Sequence, residues 1–508
     1  MKITRRQFAG LAAQAALISL APRSLRANSP AAPDPATLPL SEASALLRAG
    51  KLTARELTEA CLARIATYNP KLNAFITVMT EDARAQADGL DAELRAGKWR
   101  GPLHGIPVGL KDLIDTAGTR TTGGSLLFAG RVPREDATVT QRLKAGGAVI
   151  IGKTNLHEFG MSGAYYGLVR NPWNLEHYSG GSSSGSGAAV CASLCHGALG
   201  TDTGGSVRGP AAYCGIVGLK ATYGLIPTRG IIPSARSLDH CGPLTRTVED
   251  AAMMLGQLAG YDELDISSVE HPAEDYVAAL RQPVAGFRLG LPPQCFDRLD
   301  PEVARVAGAA IEALARLTRG TKSVVLPPTG ATGMDPGGPG QEAEYYAYHE
   351  EFFRQDASKY MLEERQRFAA DAPNHGGYAA NYARGLWELQ KLRRTIDRSF
   401  TAIDLMVMPT RQILAPRLDD FQRSNADPTP HEPRETSNCD VFNVYGIPAV
   451  SIPCGFSRDG LPVGLQIVGP HFAEGKVLAL AHAYERAVGW ERKLPPLRPD
   501  TPMPPTAA

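Results

Sequence analysis

From Tyr178 to Ala189 the chain reads YSGGSSSGSGAA, and a second glycine turn, Thr201-Asp-Thr-Gly-Gly-Ser206, follows it. Glycine and serine at this density make flexible linkers, or else they let backbone adopt unusual angles and approach a ligand closely. The linker use fails on continuity. Ala188 to Leu199 is a run of small and apolar residues that would pack, and it joins the two turns. A linker separates self-sufficient patterns, whereas these turns bracket one short helix. A chain with this feature must bring two irregular turns toward one place inside a large core.

Two familiar glycine motifs fit in letters and fail in mechanism. Gly147-Ala-Val-Ile-Ile-Gly152-Lys153-Thr154 matches the phosphate-loop pattern. That loop must be exposed to present its N–H groups, and Ala, Val, Ile and Ile at the variable positions demand a buried strand. Gly181-Ser-Ser183-Ser-Gly185 matches a nucleophile elbow with Ser183 as nucleophile. An elbow follows a strand directly, and the preceding Asn171 to Ser179 reads as loop.

The remaining pattern alternates. Leu40 to Asn69 has helical periodicity, Phe75 to Met79 reads as a strand and Glu81 to Ala96 as a helix. Gly105 to Leu110 is a strand with Lys111 at its end, Ala137 to Ala145 a helix, and Ala148 to Ile151 a buried strand. A Gly/Pro-rich break, Pro327 to Gly340, precedes a helical, aromatic-rich stretch, Glu342 to Phe400. Strands at Ile403 to Pro409, Pro448 to Pro453 and Pro462 to Val468 lead to a closing helix, Lys476 to Val488. This alternation predicts an α/β layer architecture. A chain of 508 residues with 43% hydrophobic and 21% charged residues has the composition of a soluble globular protein. Its net charge of +1 gives no basic excess for nucleic acid.

Met1 to Ala27 stands apart: Lys2, Arg5 and Arg6 precede a short apolar run, Phe8 to Ala21, and Leu25-Arg-Ala27 ends on a small residue. The run is too short to span a bilayer and has the form of an export signal. Arg5-Arg6 before Gln7-Phe8 resembles a twin-arginine signal, which predicts a periplasmic or secreted protein with no membrane anchor once the signal is removed. Residues 1–27 carry five basic residues and no acid, so the remainder has a net charge of −4. Residues 28–38 are Pro/Ala-rich and read as a disordered linker, and 494–508 as a loose Pro-rich tail. Eight cysteines in an oxidising compartment permit disulfides, with no pairing assignable. Cys191-x3-Cys195-His196 lies among small residues that suit a packed helix, so no metal site is expected.

The two turns suggest a nucleophile. Thr203-Gly204-Gly205-Ser206 offers successive N–H groups for an oxyanion hole, with a serine at its end. No histidine sits in either turn to serve as base. A lysine can do so when burial lowers its pKa, and Lys111, after the apolar strand IPVGL, is placed for it. The alternative is a surface lysine next to Asp112.

The stretches GIPVGLKD, YSGGSSSGSGAAV, GTDTGGSVRGPAAYCGIVGLKAT, Arg170-Asn-Pro-Trp-Asn174, GIPAVSIPCGF and GLPVGLQIVGP closely resemble the amidase signature family, from about Leu40 to Val488. The resemblance implies one large domain over 39–493, a central mixed β-sheet covered by helices on both faces, with 326–400 as a variable cap. It implies a serine–serine–lysine triad: Ser206 attacks an amide carbonyl, Ser182 bridges, and neutral Lys111 is the base. It also implies a cis Gly181–Ser182 peptide, an oxyanion hole from the N–H groups of Thr203, Gly204, Gly205 and Ser206, and no metal or cofactor. Gly181, Ser183 and Asp202 support the turns. Met161, Tyr165 and Tyr166 are candidates to line the acyl pocket, with ordinary packing the alternative.

The expected activity is hydrolysis of a small-molecule carboxylic amide (aryl, peptide or carbamate-type) through an acyl-enzyme, releasing ammonia or amine. A homodimer is compatible with the family. The alternatives are a glutamine amidotransferase A-type subunit, a nucleotide-binding protein through Gly147 to Thr154, and a binding protein with a dead site.

Overall fold

Near-continuous apolar runs such as IPVGL and AVII suit strands covered on both faces, and they meet in one sheet. The computed structural model describes residues 34–161, 163–335, 338–371, 375–426, 437–490 and 493–504. The export signal expected at 1–27 lies outside the described residues. From Pro35 onward the chain is one unit.

Among the described residues eleven strands lie in the order β1 (Phe75–Val78), β3 (Val149–Thr154), β2 (Pro107–Lys111), β6 (Gly197–Asp202), β8 (His240–Thr245), β7 (Val217–Lys220), β12 (Ala449–Phe456), β13 (Pro462–Val468), β11 (Leu405–Pro409), β9 (Leu289–Leu291) and β10 (Thr321–Ser323). A separate hairpin pairs β4 (Arg170–Asn171) with β5 (Asn174–Tyr178). The sheet is mixed, as expected: β2 runs parallel to both β3 and β6, and β6 runs antiparallel to β8. Every residue of β2, β3, β6, β8 and β13 is buried. Helices cover the sheet, and the main apolar core runs along its length.

The Gly147 to Thr154 segment enters β3, and Lys153 is buried there 3.5 Å from the Asp112 carboxylate. It is a core strand, as its apolar letters required. Ser183 Oγ donates to the Thr201 carbonyl, so it braces the turn.

Some expectations need correcting. The periodic stretch from Leu40 forms two helices, Leu40–Arg48 and Ala54–Leu72, split at Gly50, whose φ is +65°. The two glycine turns enclose more than a helix: Ser184–Cys191 is helical, and the chain then returns along β6. The second turn thus caps a strand beside β2. Pro35 to Leu38 is ordered, because the buried Arg246 guanidinium takes the carbonyls of Ala36 and Leu38 as acceptors. Part of the tail is docked too, since Lys71 Nζ donates to the Pro499 and Thr501 carbonyls. All eight cysteines are free thiols. Among the described residues the cap region contains the α-helices Pro339–Asp356, Leu362–Asp371 and His375–Thr395. Tyr345 and His349 of the first are buried, and the His349 ring lies 4.4 Å from that of Phe159.

Candidate active site

Adjacent parallel strands β2 and β6 deliver the base and the oxyanion turn side by side. Lys111 ends β2 and is fully buried. Its Nζ lies 2.7 Å from Ser182 Oγ and 2.7 Å from Thr201 Oγ1. Burial pushes its pKa from 10.5 down to about 7, against the pull of the Asp239 and Asp202 charges. A neutral amine is therefore available near pH 7, as a general base requires. Ser182 in turn donates its backbone N–H to Ser206 Oγ at 3.2 Å. Lys111, Ser182 and Ser206 are brought together as expected.

Every peptide bond among the described residues is trans, including the Gly181–Ser182 bond expected as cis. Gly180 and Gly181 make the turn instead, with φ of +90° and +40°. A Cβ at Gly181 would stand 2.8 Å from Pro210 Cδ and 3.2 Å from Ser206 Cα. The absent side chain lets the Ser182 turn lie directly against the nucleophile.

Asp202 organises the oxyanion turn. Its carboxylate accepts from Gly205 N at 2.8 Å, Val207 N at 3.1 Å and Asn443 Nδ2 at 2.8 Å. The Arg208 guanidinium grips the same carboxylate through Nη2 at 2.8 Å and Nε at 3.0 Å, both residues being fully buried. Burial alone would raise Asp202, but Arg208 outweighs it and holds the carboxyl well below its usual range. Such a bidentate pair fixes geometry as well as charge. One oxyanion assignment changes as a result: the Gly205 N–H is taken by Asp202. The N–H groups of Thr203, Gly204 and Ser206 meet no acceptor among the described residues.

The walls come from distant segments. Gly160 packs over the triad, its Cβ position 3.6 Å from Ser182 Oγ and 3.8 Å from Lys111 Nζ. Next to it, Met161 Sδ accepts from Ser234 Oγ at 2.8 Å and from Gln341 Nε2, on the first cap helix, at 3.3 Å. Met161 is thus tied to the Ser234 segment and to the cap, next to Gly160. Tyr165 and Tyr166 make an edge-on ring contact with each other, and no hydrogen bond or ring contact of either reaches the triad. Beneath, His157 bonds Tyr178 OH at 2.6 Å, and burial, then Lys111, lowers its pKa to about 4.

This assembly, a buried lysine joined to a serine that touches a second serine in a glycine turn, can be compared with known proteins. The family model described as Amidase matches residues 56–478. The chain belongs to the amidase family. Two curated relatives are glutamyl-tRNA(Gln) amidotransferase subunits A. That of Roseiflexus sp. (strain RS-1) is 39% identical over 91% of this chain and 98% of the relative. That of Methylococcus capsulatus is 40% identical over 90% and 98%. Among solved structures, 6-aminohexanoate cyclic dimer hydrolase aligns with a TM-score of 0.79 at 29% identity, covering 91% of this chain and 99% of that one. A peptide amidase in complex with chymostatin aligns at 0.76 and 32%, covering 91% and 99%. This amidase-family chain is an enzyme of amide C–N bonds. No helix among the described residues is long and apolar enough to cross a membrane.

The sequence reading missed Thr201, which shares Lys111 Nζ, and Arg208. Arg208 had a signal: a lone charge inside the small-residue run SVRGPAA can be buried only with a partner. Asp239, which bonds the oxyanion turn, carried no motif of its own.

Proposed function

We propose that the chain hydrolyses a small-molecule carboxylic amide through an acyl-enzyme on Ser206. The observation that carries this is Lys111, buried, lowered to about 7 and 2.7 Å from Ser182 Oγ. Neutral Lys111 takes the Ser182 hydroxyl proton as Ser182 Oγ takes that of Ser206. Ser206 Oγ bonds to the amide carbon, and the carbonyl electrons move to the oxygen facing the N–H groups of Thr203, Gly204 and Ser206. Each such donor is worth roughly 10²–10³ in rate. The Lys111 ammonium then returns the proton through Ser182 to the departing nitrogen, the C–N bond breaks, and ammonia or amine leaves. Water attacks the acyl-enzyme by the same relay and frees the carboxylate. The relay needs the Ser182 and Ser206 hydroxyls to approach when substrate binds, as catalytic hydrogen bonds often tighten in the Michaelis complex. The twin-arginine-like leader supports an exported enzyme acting without partner chains.

A second reading is a glutamine-hydrolysing amidotransferase subunit, favoured by the 39–40% identity along nearly the whole chain. One panel separates the two. The purified chain is offered glutamine, an aliphatic amide, an anilide, a peptide amide and a carbamate, with Ser206→Ala alongside. Turnover of a non-glutamine amide by the chain alone supports the first reading. Glutamine turnover alone, at a trace rate, supports the second. Turnover that survives Ser206→Ala removes the mechanism from both. A reporter fused after residue 38 and found inside the cell would remove export.

A further inference from the structure

When Lys111 takes its proton, an ammonium forms in a fully buried place, and a buried cation needs a counter-charge. Asp202 is close but already committed, with Arg208 bidentate on its carboxylate. Asp239 is different. Its Oδ1 accepts from Thr203 Oγ1 at 2.5 Å, and its Oδ2 from Ser234 N at 2.9 Å and Ala235 N at 3.1 Å. All three donors are neutral, so its charge is held but not cancelled. It precedes His240, the partner of Asp202 across the β6–β8 pairing, so it stands beside the oxyanion turn.

We propose that Asp239 is a positioning residue with two effects: its carboxylate is the counter-charge that stabilises the Lys111 ammonium, and its bond to Thr203 braces the oxyanion turn. Among carboxylates, Asp239 acts on Lys111 more strongly than Asp202 does. Burial raises Asp239 to about 6, so it is ionised where Lys111 is neutral. The other charged or titratable groups around it are Glu344 on the first cap helix, Tyr223 beneath the Arg393 guanidinium, Cys241 and His240 on β8, and Lys220 on β7. Cys241 pairs across the sheet with Thr201, the hydrogen-bond partner of Lys111 Nζ, and Asp239 stands two residues before Cys241, while burial lowers Lys220 and His240 strongly.

The inference rests on the mechanism above and makes a signature of its own. An unpaired carboxylate near a base shifts its pKa by about 1 to 3 units. Asp239→Asn should therefore move the acid limb of kcat/KM down by about one pH unit and lower the plateau at pH 8.5 about tenfold. The variant should therefore nearly match wild type at about pH 5 and fall about tenfold below it at pH 8.5, whereas a merely structural defect lowers both alike. Asp239→Glu should keep the limb in place. Thr203→Val should lower the plateau without moving the limb, since the charge stays. An unmoved limb in Asp239→Asn, or in Asp239→Ser should the first not fold, overturns the proposal. Should neither fold, the wild type decides by NMR of selectively 13C-labelled lysine. The Lys111 signal should show two inflections, its own and one tracking Asp239, and a single inflection overturns it. Failure of the mechanism itself is read separately, as turnover surviving Ser206→Ala.

Discussion

Burying Lys111 makes it a base and costs stability, and both consequences follow from one number. With its pKa lowered from 10.5 to about 7, about three quarters of Lys111 is neutral at pH 7.5, against about one in a thousand for a solvated lysine. Activity should therefore rise about tenfold per pH unit below 7 and level off above it. The folded-state pKa lies below the unfolded one, so the unfolded state binds more protons between about pH 7 and 10.5, and stability must rise with pH across that window. At pH 6 the burial penalty is nearly complete, about 5 kcal/mol. At pH 9 about 2 kcal/mol remains. Lys111→Met removes the titration. It also strips Ser182 Oγ and Thr201 Oγ1 of a partner, a cost of about 1–3 kcal/mol that does not vary with pH. The stability of the variant relative to wild type should thus be about 3 kcal/mol more favourable at pH 6 than at pH 9. Urea denaturation at both pH values, followed by fluorescence, reads this difference, while the variant shows no turnover. A difference that stays constant with pH would mean that Lys111 is not a desolvated amine, and the base assignment would fall with it.

Other consequences can be checked the same way. Arg208→Met strands Asp202 as a buried, uncompensated carboxylate and should cost about 3–5 kcal/mol, much of it restored by adding Asp202→Leu. Activity should be lost in both, since the single variant removes the guanidinium that holds the Asp202 carboxylate and the double variant removes the acceptor of the Gly205 and Val207 N–H groups, and denaturant midpoints with the amide assay test it. Glu158 accepts from Ser125 Oγ and from Met361 N of the cap region, and burial raises its carboxyl to about 7. Its folded pKa lies above the unfolded one, so stability falls as pH rises from about 4.5 through 7. Glu158→Gln should match wild type at pH 5 and exceed it by up to about 3 kcal/mol at pH 8, and equal melting curves at pH 8 would refute this.

The catalytic centre was more legible than its surroundings. Letters alone placed Lys111 at a strand end and Ser206 at a turn, because strand burial and glycine runs are local signals. They gave no sign that Gly205 N–H belongs to Asp202, since that bond depends on how the turn folds back on the end of β6. Likewise SSSGSGAAVCASLCHGALGTD reads as one small-residue stretch. Its division into the Ser184–Cys191 helix and β6 is decided by pairing with β2 and β8, far away in sequence. The order of Pro35 to Leu38 is set from 208 residues away by Arg246. Pro and Ala composition reports how little a segment stabilises itself, not what reaches across to hold it.

The solved structures this chain resembles include a cyclic dimer hydrolase and a peptide amidase, so one fold accommodates different amide substrates. Choice must come from the walls, and one contact joins three of them. Gln341 of the cap, buried, donates to Ser234 Oγ at 3.2 Å and to Met161 Sδ at 3.3 Å, while Met161 follows Gly160 over the triad. The cap is thereby tied through one carboxamide to the segment that follows Gly160. Gln341→Ala removes about two hydrogen bonds of modest net worth, roughly 0.5–1.5 kcal/mol each, and frees Met161 to change rotamer. Lys111, Ser182 and the oxyanion donors are untouched. For a small aliphatic amide, kcat and KM should stay within about twofold. For a bulky aryl amide, KM should change about tenfold, since about 1.4 kcal/mol of uniform binding is at stake. Equal KM values for the bulky amide in variant and wild type would place the selective wall elsewhere. A fall in kcat for both substrates would mean that the cap supports the chemistry rather than choosing its substrate.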